Sequence, residues 1–269
     1  MMNKVKIGLG VVLITFGAMA GAAEPQGFAV PQTSLDPKGG HIQGLAVSTD
    51  AVYVAQMTQI LKLDWKGNEL ARRKVRSHTG DITWWDGELY AAVAVYPACK
   101  EGRIQVYDGD LNLVRETTID RTVDGIACLD GVLYVGMGSK AQPSKVPHRV
   151  NVLGRFDAKT LKEISPRQDF DYGYETRYGF QDVATDGRYL YATFYAVKSA
   201  PIMAVFNRSG AVVGTAKAGG NQGFDVLPDG KGLLVHRSGR CIIQPLPKVA
   251  VIEGVAGLIE RNRPEESQP

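Results

Sequence analysis

The sequence predicts an all-β fold, a five-bladed β-propeller with six blades as the alternative, and three observations carry that prediction. First, a short pattern recurs along the chain as "HIQGLAVSTD", "HTGDITWWDG", "VDGIACLDG", "GFQDVATDG" and "GFDVLPDG". Second, each recurrence opens a unit of about 40 residues built from three or four short apolar, β-branched or aromatic runs, the period of propeller blades. Third, the runs are divided by Asp-Gly, Lys-Gly or Ser-Gly pairs, which supply the positive φ angles that tight hairpins require. Helical periodicity is confined to the tail "VAVIEGVAGLIERNR".

The units follow one another in order. The first begins at Gly44 with "GLAVSTDAVYVAQMTQILKLDWKGNEL", and the second at Asp81 with "DITWWDGELYAAVAVYPACKEGRIQVYDGDLNLVRE". The third starts "GIACLDGVLYVGMG" and resumes after an insertion as "VLGRFDAKTLKEI". The fourth reads "DVATDGRYLYATFYAVKSAPIMAVFNRSGAVVGTA". The fifth, "DVLPDGKGLLVHRSGRCIIQPLP", lacks a clear outer strand. Residues 27–35, "GFAVPQTSL", can supply that strand and so remove a free sheet edge, with 249–254, "VAVIEG", as the other candidate. One unit cannot bury both of its faces, so neighbours must stack around an axis. The Asp-Gly acids at the first turn of each unit, Asp50, Asp86, Asp130, Asp186 and Asp229, are expected to be turn formers.

The start of the chain has another character. "MMNKVK" is basic, residues 7–23 are apolar, and "AMAGAAEP" offers small-residue exits after Ala20, Ala22 or Ala23. Residues 1–23 therefore read as a secretory signal peptide, 24–260 as one propeller domain, and 261–269 as a polar tail. The expected location is the periplasm or outside the cell, with no membrane span once the leader is removed. Loss of Lys4 and Lys6 takes the formal charge from +3 to +1. Basic residues are scattered, which speaks against a nucleic-acid partner. Cys99, Cys128 and Cys241 form no metal-binding or redox motif, and their odd number leaves at least one thiol unpaired. No Gly-x-Ser-x-Gly, phosphate loop, zinc-binding helix or Cys-x-x-Cys occurs, so covalent serine or cysteine catalysis is not expected.

The blade repeats resemble those of secreted bacterial β-propellers over almost the whole mature chain. Within that group, "IQGLAVSTDAVYVAQM" resembles the opening of the first blade of plant-type glutaminyl cyclases, which are five-bladed and exported. That resemblance implies a carboxylate in the second strand, where this chain reads "VAQM". The departure argues against cyclase activity.

In a propeller the starts of the innermost strands gather at one end of the axis, where a rigid scaffold presents variable loops. Asp81, Asp182 and Asp225 share the column just before the first apolar residue, while Asp124, Gln43 and Gln181 share the column before it. Four carboxylates in one narrow opening must be offset. A cation held by Asp81, Asp124, Asp182 and Asp225 does so, and oxygen donors suit Ca²⁺. A protonated acid with a raised pKa does so too, and is what a general acid requires. His78 stands three residues before Asp81 as a candidate base or proton shuttle, and His41 holds the matching place before Gly44. The loop "QDFDYGYETRYG" adds Tyr172, Arg177 and Tyr178, rings and a guanidinium suited to a sugar or peptide. The same acids and rings also have structural readings, as turn formers and loop packing. The expected function is binding of a small polar ligand at the axial face, with metal-assisted hydrolase or lyase action on a sugar or lactone as its catalytic form. The alternative is a non-catalytic glycan- or protein-binding propeller of the cell envelope.

Overall fold

The structure is a computed structural model that describes residues 27–37, 40–95, 100–138, 147–196, 202–216, 223–235 and 239–246. It contains five four-stranded antiparallel sheets arranged as a five-bladed propeller. The chain opens with β1 (Gly27–Ala29) and then builds blade one from β2 (Ile42–Val47), β3 (Val52–Gln56), β4 (Gln59–Leu63) and β5 (Glu69–Lys74). Blade two is β6 (His78–Trp85), β7 (Glu88–Ala94), β8 (Gly102–Tyr107) and β9 (Leu113–Ile119). Blade three is β10 (Val123–Leu129), β11 (Val132–Met137), β12 (Asn151–Asp157) and β13 (Glu163–Phe170). Blade four is β14 (Thr176–Thr185), β15 (Leu190–Ala196), β16 (Met203–Phe206) and β17 (Val212–Ala216). Blade five is β18 (Phe224–Val226), β19 (Lys231–Val235) and β20 (Arg240–Pro245), completed by β1 on the outside.

That completion is the closure expected from residues 27–35: Gly27, Phe28 and Ala29 pair antiparallel with Ile242, Cys241 and Arg240. The competing candidate, 249–254, lies outside the described residues, as do residues 1–23 and 261–269. The innermost strands touch in the cycle β2, β6, β10, β14, β18 and back to β2, so the ring is closed at the axis as well as at the rim.

The near-continuous apolar runs have a direct cause. A blade is covered on both faces, so both sides of its strands must be apolar. In β3, Val52 and Val54 join the core shared with blade five, whereas Tyr53 and Ala55 join the core shared with blade two. In β15, Leu190, Ala192 and Phe194 face blade three and Tyr191 faces blade five. Five such cores fill the five gaps between blades. The outermost strands β5, β9 and β13 are covered on one side only and are largely exposed.

The turns follow the same economy of residue types. Asp86 and Gly87 have φ of 49° and 83°, and Asp130 and Gly131 have 52° and 79°, both central positions of a primed turn. Leu111 and Leu161 also adopt positive φ, at 64° and 56°. Both are buried, at 2% and 5% exposure, so packing outweighs a conformational cost of about 1–2 kcal/mol.

Candidate functional site

Why do polar residues at the inner-strand starts turn to the axis at all? The ladder between inner and second strands breaks register in four of the five blades. The breaks fall between Ile42 and Gly44, Thr79 and Ile82, Val123 and Ile126, and Phe180 and Val183. A bulge re-aims the side chains it contains. Those it contains are Gln43, Asp81, Asp124, Gln181 and Asp182. The glycines between them permit close approach. A Cβ on Gly44 would lie 2.6 Å from the Asp81 Cα, and one on Gly80 would lie 2.7 Å from the Asp124 carbonyl oxygen.

Asp81 and Asp182 are both 0% exposed and face each other. Asp81 Oδ1 accepts from the Ile82 N–H at 2.8 Å. Its Oδ2 accepts from Ile126 N–H of blade three at 3.0 Å and from Val183 N–H of blade four at 2.8 Å. Asp182 Oδ1 accepts from the Gly223 N–H at the entry to blade five, at 2.9 Å. Its Oδ2 accepts from the Thr193 hydroxyl at 3.0 Å. Asp225 continues the pattern, with Oδ2 accepting from Val47 N–H of blade one at 3.0 Å and Oδ1 from its own neighbour Val226 at 2.8 Å. An innermost strand is a sheet edge, and its N–H groups would otherwise point unpaired into a crowded axis. These three carboxylates satisfy them and join blade to blade.

Burial holds the Asp81 carboxyl well above the usual carboxylate range, and Asp182 beside it pushes the same way. Burial raises Asp182 likewise. The pair shares a proton, because two full charges in that space are too costly. The four acids divide instead of meeting at one point. Asp81 and Asp182 meet, but among the described residues no three His, Cys, Asp or Glu side chains converge to hold a metal. The Asp81 oxygens accept from backbone N–H groups, those of Asp182 from a backbone N–H and the Thr193 hydroxyl, and a shared proton offsets the charge of the pair.

Asp124 stands apart from that pair. It is half-buried in the column with Gln43 and Gln181, and burial alone pushes its carboxyl up to about 7. His78 is half-buried on β6 and lies 3.3 Å from the Gln43 amide through its Nε2. Burial, aided by the nearby His41, lowers His78 to about 4, so its ring is neutral at physiological pH. Gln181 is 8% exposed and donates to its own neighbour's carbonyl, Phe180 O, at 2.9 Å. Asp225 is half-buried, is pushed up by burial to about 7, and lies against an axial cavity that ends at the turn side.

The aromatic loop divides. Tyr172 is 0% exposed and stacks on Phe194 with centroids 4.5 Å apart and planes at 10°. Its expected role as a ligand platform is corrected: it belongs to the core between blades three and four. Tyr178 is 39% exposed, sits edge-on to Tyr195 at 5.1 Å, and neighbours the exposed Arg177. Cys99 lies outside the described residues. Thr193 adds a member that the column of acids does not contain, the one threonine in the run "YATFYA". Gln56, in the strand where a cyclase-like carboxylate was looked for, is 3% exposed. Its Oε1 accepts from Asp36 N–H at 3.0 Å, and its Nε2 donates to the carbonyls of Asp36 and Gly40 at 2.8 and 2.7 Å. It clamps the segment that leads into blade one.

No family model matches the sequence, and no curated protein matches it. Solved propellers resemble it in fold. Glutaminyl cyclase of Myxococcus xanthus superposes with a TM-score of 0.60 at 12% identity, over 86% of this chain and 100% of that one. The Neurospora crassa Pan2 WD40 domain gives 0.43 at 12%, over 79% and 65%. The WD40 propeller of Doa1 gives 0.43 at 7%, over 77% and 79%. At such identities the likeness is one of fold.

Proposed function

We propose that this propeller binds a small polar ligand at the axial mouth where the inner strands begin, and acts on it by proton transfer as a hydrolase or lyase of a sugar or lactone. The observation that carries the reading is Asp124: a half-buried carboxyl in a bulge at that mouth, outside the shared-proton pair and next to blade two, whose His78 meets Gln43 of blade one. A carboxyl poised near neutrality exchanges a proton with little driving-force penalty. A neutral His78 accepts or donates a hydrogen bond, and Gln43 and Gln181 offer amides for hydroxyl groups. Asp81 and Asp182 support the mouth from below and do not touch the ligand. The reading includes export, with residues 1–23 removed and the protein working in the periplasm or outside the cell.

The Myxococcus xanthus protein is a glutaminyl cyclase by name, and that activity is not carried over, since the second strand of blade one holds no carboxylate. The test is a panel of glycosides and lactones followed by calorimetry and product analysis. Asp124→Asn is expected to lower turnover by roughly 10²-fold or more while leaving binding within a few-fold. Wild-type turnover in Asp124→Asn and in His78→Ala would sink the catalytic reading. A second reading, glycan binding without chemistry, is favoured by the exposed Tyr178 beside Arg177. In that case Tyr178→Ala loses binding and Asp124→Asn does not.

A further inference from the structure

A cavity of about 210 Å³ occupies the far end of the axis, on the side of the first hairpin turns and opposite the mouth discussed above. All five blades line it: Val47 from the first, Thr83 and Trp84 from the second, Cys128 from the third, Thr185 from the fourth and Asp225 from the fifth. Its volume equals roughly seven waters at about 30 Å³ each, room for a compact molecule and not for a polymer. Apolar, aromatic and hydroxyl groups share the wall, the usual make-up of a small-molecule pocket.

The ionisable groups on the wall are of one kind. Among the described residues that line the cavity they are two acids, Asp225 inside, which a bound cation would hold ionised, and Asp186 at the rim. Asp186 is exposed, and hydrogen bonds from Tyr189, Tyr191 and Arg188 outweigh its partial burial and keep it an anion. Each Asp225 oxygen accepts one backbone N–H, from Val47 or Val226, and so keeps a lone pair for a further donor. Trp84 is half-buried, lines the cavity and stacks on Tyr53 with centroids 5.0 Å apart, which fixes its side chain. A carboxyl and an aromatic side chain on the wall of one small pocket suit an organic ammonium group.

We propose that this turn-side cavity is a second binding site, separate from the strand-start mouth, and that it takes a small organic cation whose ammonium group pairs with Asp225 while its alkyl part packs on Trp84 and Val47. The site does not depend on catalysis at the other end.

The test is calorimetric titration of the full-length protein with choline and, in parallel, with 3,3-dimethyl-1-butanol, its uncharged counterpart of the same shape. Choline is expected to bind saturably at one site and the alcohol at least tenfold more weakly. Val47→Phe fills the cavity while keeping the N–H that Asp225 accepts, and should abolish choline binding without disturbing the fold, checked by circular dichroism. Asp225→Asn should weaken choline at least tenfold. Asp124→Asn, at the opposite end, should leave it unchanged. Equal binding of the two probes, no binding of either, or loss of binding in Asp124→Asn with retention in Val47→Phe would each overturn the proposal. Failure of turnover at the other mouth would not affect it.

Discussion

Asp182 shows how a single side chain can serve the axis and set its response to pH. The unfolded chain ionises its aspartates near pH 4, whereas Asp81 and Asp182 keep a shared proton well above that. The folded state therefore binds more protons than the unfolded one above pH 4. Stability from these groups is present at low pH and declines as pH rises through their folded values. His78 works in the opposite sense, because its lowered pKa costs stability as pH falls below about 6.5. Above pH 7 that opposing effect is spent. The expected outcome is a falling melting temperature between pH 7 and 9 in wild type. Asp182→Asn mimics the protonated acid, costs about 1 kcal/mol at pH 7, and flattens the decline. Denaturant titrations at several pH values check it, and an unchanged slope in the variant would refute the shared proton.

At this scale the sequence was only half legible. The turn acids Asp86 and Asp130 sit at positive φ as their Asp-Gly context implies. The acids before the inner strands were visible as a column, but not their task. Which way a bulged carboxylate points depends on which neighbouring edge has an unpaired N–H, and that edge exists only once the ring has closed. Tyr172 and Tyr178 stand six positions apart in one aromatic loop, and nothing local tells the buried ring from the exposed one.

Among elements, β1 is the shortest kind of strand with a large duty. Three residues cover the outer edge of β20, and Gly27 lies so close that an added Cβ would collide with the Cys241 carbonyl oxygen. Gly27→Val is expected to displace β1 and lower stability by about 1–3 kcal/mol, measured by thermal or urea unfolding. A variant as stable as wild type would show that the pairing contributes little. This closure could be read from the sequence because the fifth repeat was visibly one strand short. The inner-strand bulges could not, since a register break leaves the apolar pattern on either side intact.

The whole molecule has no core of its own, only five shared ones, so no blade can unfold without exposing a face of each neighbour. Phe194, fully buried between blades three and four, probes this. Phe194→Ala should cost about 3–5 kcal/mol. The three tryptophans, Trp65, Trp84 and Trp85, all lie in blades one and two, and none belongs to the core that the change disrupts. Their fluorescence is nonetheless expected to report the same lowered midpoint as far-UV circular dichroism. Two separate transitions would mean that the blades melt piecemeal.

The pairing of β1 with β20 also imposes an order of events. A chain made from its N-terminus carries its first strand through the synthesis of four complete blades before the partner of that strand exists. Contacts within a blade join residues close in sequence and form early, whereas this one spans nearly the full chain and bears the largest loop-closure cost. The last blade thus waits as an open three-stranded sheet with one bare edge. The interval before that edge is covered is when a nascent chain is most exposed to pairing with another copy of itself.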